Sequence, residues 1–178
     1  DKVTIYDGDD PDLPMWMVFN QSSSSNMLLE GSPSSVVALN GYVSVGHAAY
    51  DLNVVRFIQD DAIQYGTALI GEVYAGDILE RNSGKAYYGT GIDGDLVNRV
   101  VNDVAMTVLP NAPIDPATGI QVPTIAVATA GGVSVITDSG DVFDITSSQL
   151  ISDWVAFVDS GRIMFSMDSG GGRYYHVL

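Results

Sequence analysis

The chain has no cysteine and only two histidines, His47 and His176, in 178 residues. Disulfides, thiol catalysis and Cys-ligated zinc or iron are therefore excluded, and a His-based metal site has too few ligands. Lysine and glutamate are almost as scarce. The 7 basic residues include two Lys, and the 22 acidic residues include three Glu, which leaves 19 Asp. Glu and Lys fill helix surfaces whereas Asp favours turns and caps, so this balance argues against a helical protein. A net charge of -15 with no basic patch excludes nucleic acid as a partner and disfavours anionic lipid. No apolar run approaches the roughly 20 residues of a membrane span, so membrane insertion is not expected. The chain opens on Asp1 without a signal-peptide pattern and closes on the apolar run Tyr174-Tyr175-His176-Val177-Leu178. Both ends predict a fragment of a longer protein, with a partner strand missing beyond Leu178.

What is present is strand and turn material: 22 Val, 19 Gly and 9 Tyr in a chain that is 46% hydrophobic. Three stretches share one design. Ser35 to Leu39 runs into Asn40-Gly41 and then Tyr42 to Val45. Thr124 to Thr129 runs into Ala130-Gly131-Gly132 and then Val133 to Ile136. Trp154 to Val158 runs into Asp159-Ser160-Gly161 and then Arg162 to Phe165. Each is a β-branched or aromatic run, a short Gly-bearing turn and a second such run, which is the signature of a hairpin. Each continues into a third run: Leu52 to Ile58, Val142 to Ile145 and Arg173 to Val177. The predicted fold class is all-β, built of antiparallel meanders that recur at roughly 30-residue spacing in the C-terminal third. Such meanders suit β-propeller-like blades, possibly a partial propeller; a flat sandwich is the competing arrangement.

Residues 1–178 read as one β-repeat region interrupted by an irregular insert over 59–122. Within the insert, Thr67 to Tyr74 predicts a strand and Arg81 to Lys85 a turn. Apolar residues at 96, 97, 100, 101, 104 and 105 predict one short helix over Asp95 to Ala105, capped by Asp93 or Asp95. Pro110, Pro113, Pro116 and Pro123 predict a loop, and Ser22 to Ser25 another.

Few residues carry chemistry. No G-x-S-x-G is present to pair with either His, and no catalytic residue is assigned. Asp7, Asp9, Asp10 and Asp12 gather four carboxylates and are the metal candidates, for calcium, although Pro11 and the missing Glu depart from an EF-hand; Asp93-Gly94-Asp95 is a second acidic cluster. Solvated turn aspartates are the favoured account of both clusters, and the four carboxylates at 7, 9, 10 and 12 are the better of the two calcium candidates. Trp16, Trp154, Tyr87-Tyr88 and Tyr174-Tyr175 are candidates for stacking on a sugar face, Tyr87 and Tyr88 the better exposed of them, while core packing explains Trp16 and Trp154 more simply. Trp154 reads as a core aromatic. Asp138-Ser139-Gly140-Asp141-Val142-Phe143 resembles the Asp box of sialidase-type blades, with Ile136 where that motif has Ser. In that family the box stabilises a turn remote from catalysis.

Met15 to Phe19, Ser35 to Gly41, and above all Asn102 to Gly119 leading into Thr124 to Thr129 and Gly132 to Ile136 are similar to a group of large marine phage and metagenomic proteins. The resemblance covers residues 4 to 168. Those proteins look like tail-fibre or other virion structural proteins with propeller-like repeats, often followed by a laminin-G or concanavalin-like domain. It implies a non-enzymatic structural or adhesion module on a phage tail, or otherwise extracellular. Its implied partners are other virion proteins, further copies of itself or host-surface carbohydrate, and no cofactor other than calcium is expected. The alternative is a glycan-degrading hydrolase, a depolymerase or sialidase-like propeller, using loop Asp residues.

Overall fold

The computed structural model describes residues 2–6, 8–13, 15–20, 32–49, 51–59, 61–66, 72–75, 95–146, 151–159, 161–168 and 173–177, and every regular element among them is a strand. The all-β expectation holds, in agreement with the scarcity of Glu and Lys. Among the described residues no helix is long and apolar enough to cross a membrane.

β1 (Lys2–Tyr6) and β2 (Met15–Asn20) form an antiparallel hairpin. A five-stranded sheet follows, in the order β3 (Pro33–Leu39), β4 (Tyr42–His47), β5 (Leu52–Arg56), β6 (Asp61–Tyr65) and β7 (Glu72–Ala75). Next comes a four-stranded sheet of β8 (Val101–Thr107), β9 (Thr124–Thr129), β10 (Gly132–Ile136) and β11 (Val142–Ile145). A three-stranded sheet of β12 (Val155–Phe157), β13 (Ile163–Asp168) and β14 (Arg173–Val177) completes it. Every pairing is antiparallel between consecutive strands. Each sheet is thus an up-and-down meander, as the three hairpin stretches predict.

The expected helix over Asp95 to Ala105 is not there. Leu96 and Val97 lie in an extended lead-in, where the Leu96 N–H donates to Gly66 O at 2.8 Å and the Val97 N–H to Ser134 Oγ at 3.0 Å. β8 then carries a bulge between Val101 and Asp103. A bulge adds one residue to the period of two, so side chains three apart share a face. Val101 and Val104 both turn toward Gly46 of β4 for this reason. The spacing that reads as helical is a bulged strand, and the Val content decides it. The insert over 59–122 accordingly contains β6, β7 and β8. The strand predicted at Thr67 to Tyr74 appears as β7, while 67–71, Arg81 to Lys85 and Ser22 to Ser25 lie outside the described residues.

The sheets pack face to face in chain order. Leu52, Val54, Ile63 and Tyr65 of the five-stranded sheet meet Val101, Val104, Ile125, Val127 and Ile136 of the four-stranded one. The opposite face of that sheet, with Ala126, Ala128 and Val133, meets Val155 and Phe165. All six residues of β9 are therefore buried, which explains its unbroken apolar run. Gly46 permits the first contact, because a Cβ there would lie 2.4 Å from Val101 Cγ1.

Candidate functional site

Three strands that begin their sheets, β3, β8 and β12, lie side by side, with β8 packed against the other two. Asp103 ties them together. Its Oδ1 accepts from Ser35 Oγ of β3 at 2.9 Å, and its Oδ2 accepts from the Val155 N–H of β12 at 3.2 Å. Ser35 Oγ in turn accepts from the Val104 N–H at 3.2 Å, and Ser34 Oγ donates to Val101 O at 2.7 Å. The bulged Asn102 donates to Ser152 O at 2.9 Å. These bonds join strand starts to strand starts, so the three strands run in the same direction. Their beginnings mark one end of the molecule, and the opposite end is where β8 finishes.

That second end carries the loop of residues 108–123, which the four prolines predict and which lies between β8 and β9. Ile114 bridges Gln121, making a small hairpin, and Asn40 Nδ2 of the β3–β4 turn donates to Gln121 O at 2.9 Å. At the tip Asp115 Oδ1 accepts from the N–H groups of Ala117 and Thr118 and from Thr118 Oγ1, each at 3.0 Å. Asp115 also donates its N–H to Ile120 O and accepts from the Gly119 N–H, Gly119 having φ 71°. Ala112 is buried beneath, while Ile114 is 61% and Ile120 38% exposed. The loop is held in shape by its own hydrogen bonds and presents Ile114 and Ile120 to solvent. Neighbouring turns at this end carry more aspartates. In the Asp-box-like turn the Ser139 hydroxyl donates to Asp141 Oδ2 at 2.7 Å, and Gly140 takes φ 93°. Its bonds stay within the turn, as a turn-stabilising element requires. Arg162 pairs with Asp159, holding that carboxyl below its usual range. Both are exposed, so the pair adds little to stability.

The sequence candidates are scattered. Asp9, Asp10 and Asp12 sit exposed in the β1–β2 loop, where Asp10 Oδ1 accepts from the Asp12 N–H at 2.9 Å. Asp7 lies outside the described residues. Among the described residues no three metal-ligating side chains converge. Trp16 is in β2, and Tyr87 and Tyr88 lie outside the described residues. Trp154, expected in the core, is 37% exposed and meets the 64% exposed Tyr175 edge-on, with ring centroids 6.3 Å apart. The alternation of the three-stranded sheet explains this: Val155 and Phe165 take its inner face, leaving Trp154 and Tyr175 to the other.

Neither histidine stands in a catalytic arrangement. His47 has no exposed surface, neither ring nitrogen has a hydrogen-bond partner, and burial lowers its pKa from the ordinary value. His176 stacks on Phe165, its partner across the ladder, at 5.8 Å. The sequence alone does not single out loop 108–123, whereas Trp154 and Tyr175 stand among its aromatic candidates and come together at the surface. No protein-family model, curated protein or solved structure matches the chain.

Proposed function

We propose that the chain is a non-enzymatic structural and adhesion module of a phage tail fibre or related virion protein, built of propeller-like blades and contacting host-surface glycans. The observation that carries the blade reading is the alignment of β3, β8 and β12. The first strand of each successive meander lies beside the first strand of the next, running the same way, while later strands step outward. Radially arranged blades have this geometry; in a two-sheet sandwich the four-stranded sheet would not be buried on both faces. The adhesion reading rests on loop 108–123, which is held rigid at the end shared with the Asp-rich turns. Because the chain carries -15, its glycan is uncharged or cationic.

A glycan array probed with the protein tests this. Binding to an uncharged host polysaccharide is expected, weakened by about tenfold or more when Ile114 and Ile120 are both changed to Asp. No binding to any polysaccharide of the host surface removes the adhesion half. Release of reducing ends from such a polysaccharide replaces the whole reading with a hydrolase.

A further inference from the structure

The chain has eight asparagines, and Asn40 is the one followed by glycine. Asn40 and Gly41 are the central residues of the β3–β4 turn, at φ 49° and 75°, and Gly41 is exposed. An Asn side chain before Gly is the most open to attack by the next backbone nitrogen, because Gly has no Cβ to crowd the approach. The Asn40 side chain is also committed to a distant contact. Its Nδ2 donates to Gln121 O at 2.9 Å, across 81 residues of chain. Among the described residues, the other hydrogen bonds of loop 108–123 close within the loop. Ala112 donates to Leu109 O, Asp115 to Ile120 O, Gly119 to Asp115 O and Val122 to Pro113 O, and the Asp115–Thr118 tip bonds to itself. Asn40 is thus the polar latch between this loop and the sheets, beside the packing of Val122 on the core.

We propose that Asn40 is a self-modification site whose deamidation unlatches loop 108–123. The Gly41 nitrogen attacks Asn40 Cγ and gives its proton to solvent. Nδ2 takes a proton from solvent and departs as ammonia, and a five-membered imide joins the two residues. Water then opens the imide at either carbonyl, leaving aspartate or isoaspartate at position 40. Water is consumed and ammonia released in equal amounts, with no change of oxidation state. The atom that leaves is the atom that holds Gln121. A carboxylate oxygen in its place faces the Gln121 carbonyl, two acceptors with no proton between them, so the contact turns repulsive. Isoaspartate also adds a backbone methylene, which a two-residue turn closed by Leu39 and Tyr42 does not accommodate. This proposal does not rest on the glycan reading, since loop order is measured with no glycan present.

Incubation of the 178-residue chain in warm, mildly alkaline buffer, followed by peptide mapping and amide exchange, tests it. The expected result is conversion of amide to acid at Asn40 ahead of every other asparagine, with isoaspartate among the products. In the converted chain the amides of Asp115, Gly119 and Val122 exchange about tenfold faster or more, while those of β9 are unchanged. Freshly made Asn40→Asp shows the same loosening without incubation. Gly41→Ala keeps the Asn40 amide and crowds the attack, so it slows conversion and preserves loop protection on ageing. Asn40→Asp reads the latch even if Gly41→Ala fails to fold. An Asn40 that converts in urea and stays intact in the folded chain overturns the proposal, as does a loop equally protected in Asn40→Asp and in the unmodified chain.

Discussion

The β3–β4 and β9–β10 hairpins have nearly the same sequence design, ending respectively in Tyr42-Val43-Ser44-Val45 and Gly132-Val133-Ser134-Val135, yet they occupy opposite situations. The first turns at the end where β8 finishes, since Asn40 reaches Gln121. The second turns at the end where β8 begins, since the Ala130 N–H donates to Val100 O at 3.0 Å. β3 alternates between half-buried and exposed, whereas β9 is buried throughout. The turns differ too. Asn40 and Gly41 both take positive φ, as a type I′ turn needs; Ala130 and Gly131 do not, and the unusual backbone moves to Gly132 at φ 134°. Thr129 secures that second turn, accepting from the Gly131 N–H and donating to Gly132 O. Local sequence specifies a hairpin in both cases, and the position of β8 decides which two strands of the meander it supplies.

The comparison can be broken most sharply at its glycines. Gly132→Ala sets a Cβ 2.3 Å from Ile145 O at a φ hostile to side chains, and a loss of about 3 kcal/mol or more is expected in urea unfolding. Gly41→Ala meets only the flexible Ile58 side chain at 3.0 Å, in the left-handed region, so about 1 kcal/mol is expected. If both variants lose the same amount, the two turns are not as different as their backbones indicate.

Asp103→Ala tests what anchors the first hairpin to β8. It strands the Ser35 hydroxyl and the Val155 N–H together, and a midpoint shift equivalent to about 2–3 kcal/mol is expected. Asp103→Asn, which keeps a carbonyl oxygen, should recover part of it.

The paired serines give a smaller contrast. Ser134 Oγ accepts from the Val97 N–H and donates to Asp144 Oδ1 at 2.6 Å, so Ser134→Ala should lose about 1–2 kcal/mol. Ser44 Oγ is buried without a partner, so Ser44→Ala should be neutral or slightly stabilising in the same melt. An equal loss at both serines would contradict the hydrogen bonding described here.

The mildest effect is on pH dependence, and it belongs to the first hairpin alone. His47 has a folded pKa below its unfolded value near 6.5, because burial disfavours the imidazolium. Above that pH both states are neutral and His47 contributes no slope. As pH falls below it, the unfolded chain takes up a proton that the folded chain resists, so stability declines toward the folded pKa. Thermal melts from pH 7 to pH 5 should show this decline, and His47→Phe should flatten it.

Much of the fold was legible in the chain. The turn pair Asn40-Gly41, the Gly-bearing turns at 130–132 and 159–161, and the β-branched runs between them correspond to observed strands almost residue for residue. The failure at Asp95 to Ala105 has a definite cause. A bulge at Asn102 imitates helical spacing, and one-dimensional periodicity does not separate the two. The sites were less legible. Trp154 has the composition of a core residue, and its exposure follows from which face of its sheet meets Ala126 and Ala128. Asp115 and Asp103 are two aspartates among 19, one folding a loop tip and the other joining three strands.

The sequence by itself determined the all-β class, the strand pairs closed by short turns and the acidic surface, because each depends on residue preferences and contacts close along the chain. Only the tertiary structure decided the order of the stacked sheets, the alignment of β3, β8 and β12 through Asp103, and the bond from Asn40 to Gln121. Those depend on which faces meet across 50 or more residues, as between Asp103 and Val155, and there local preferences carry no information.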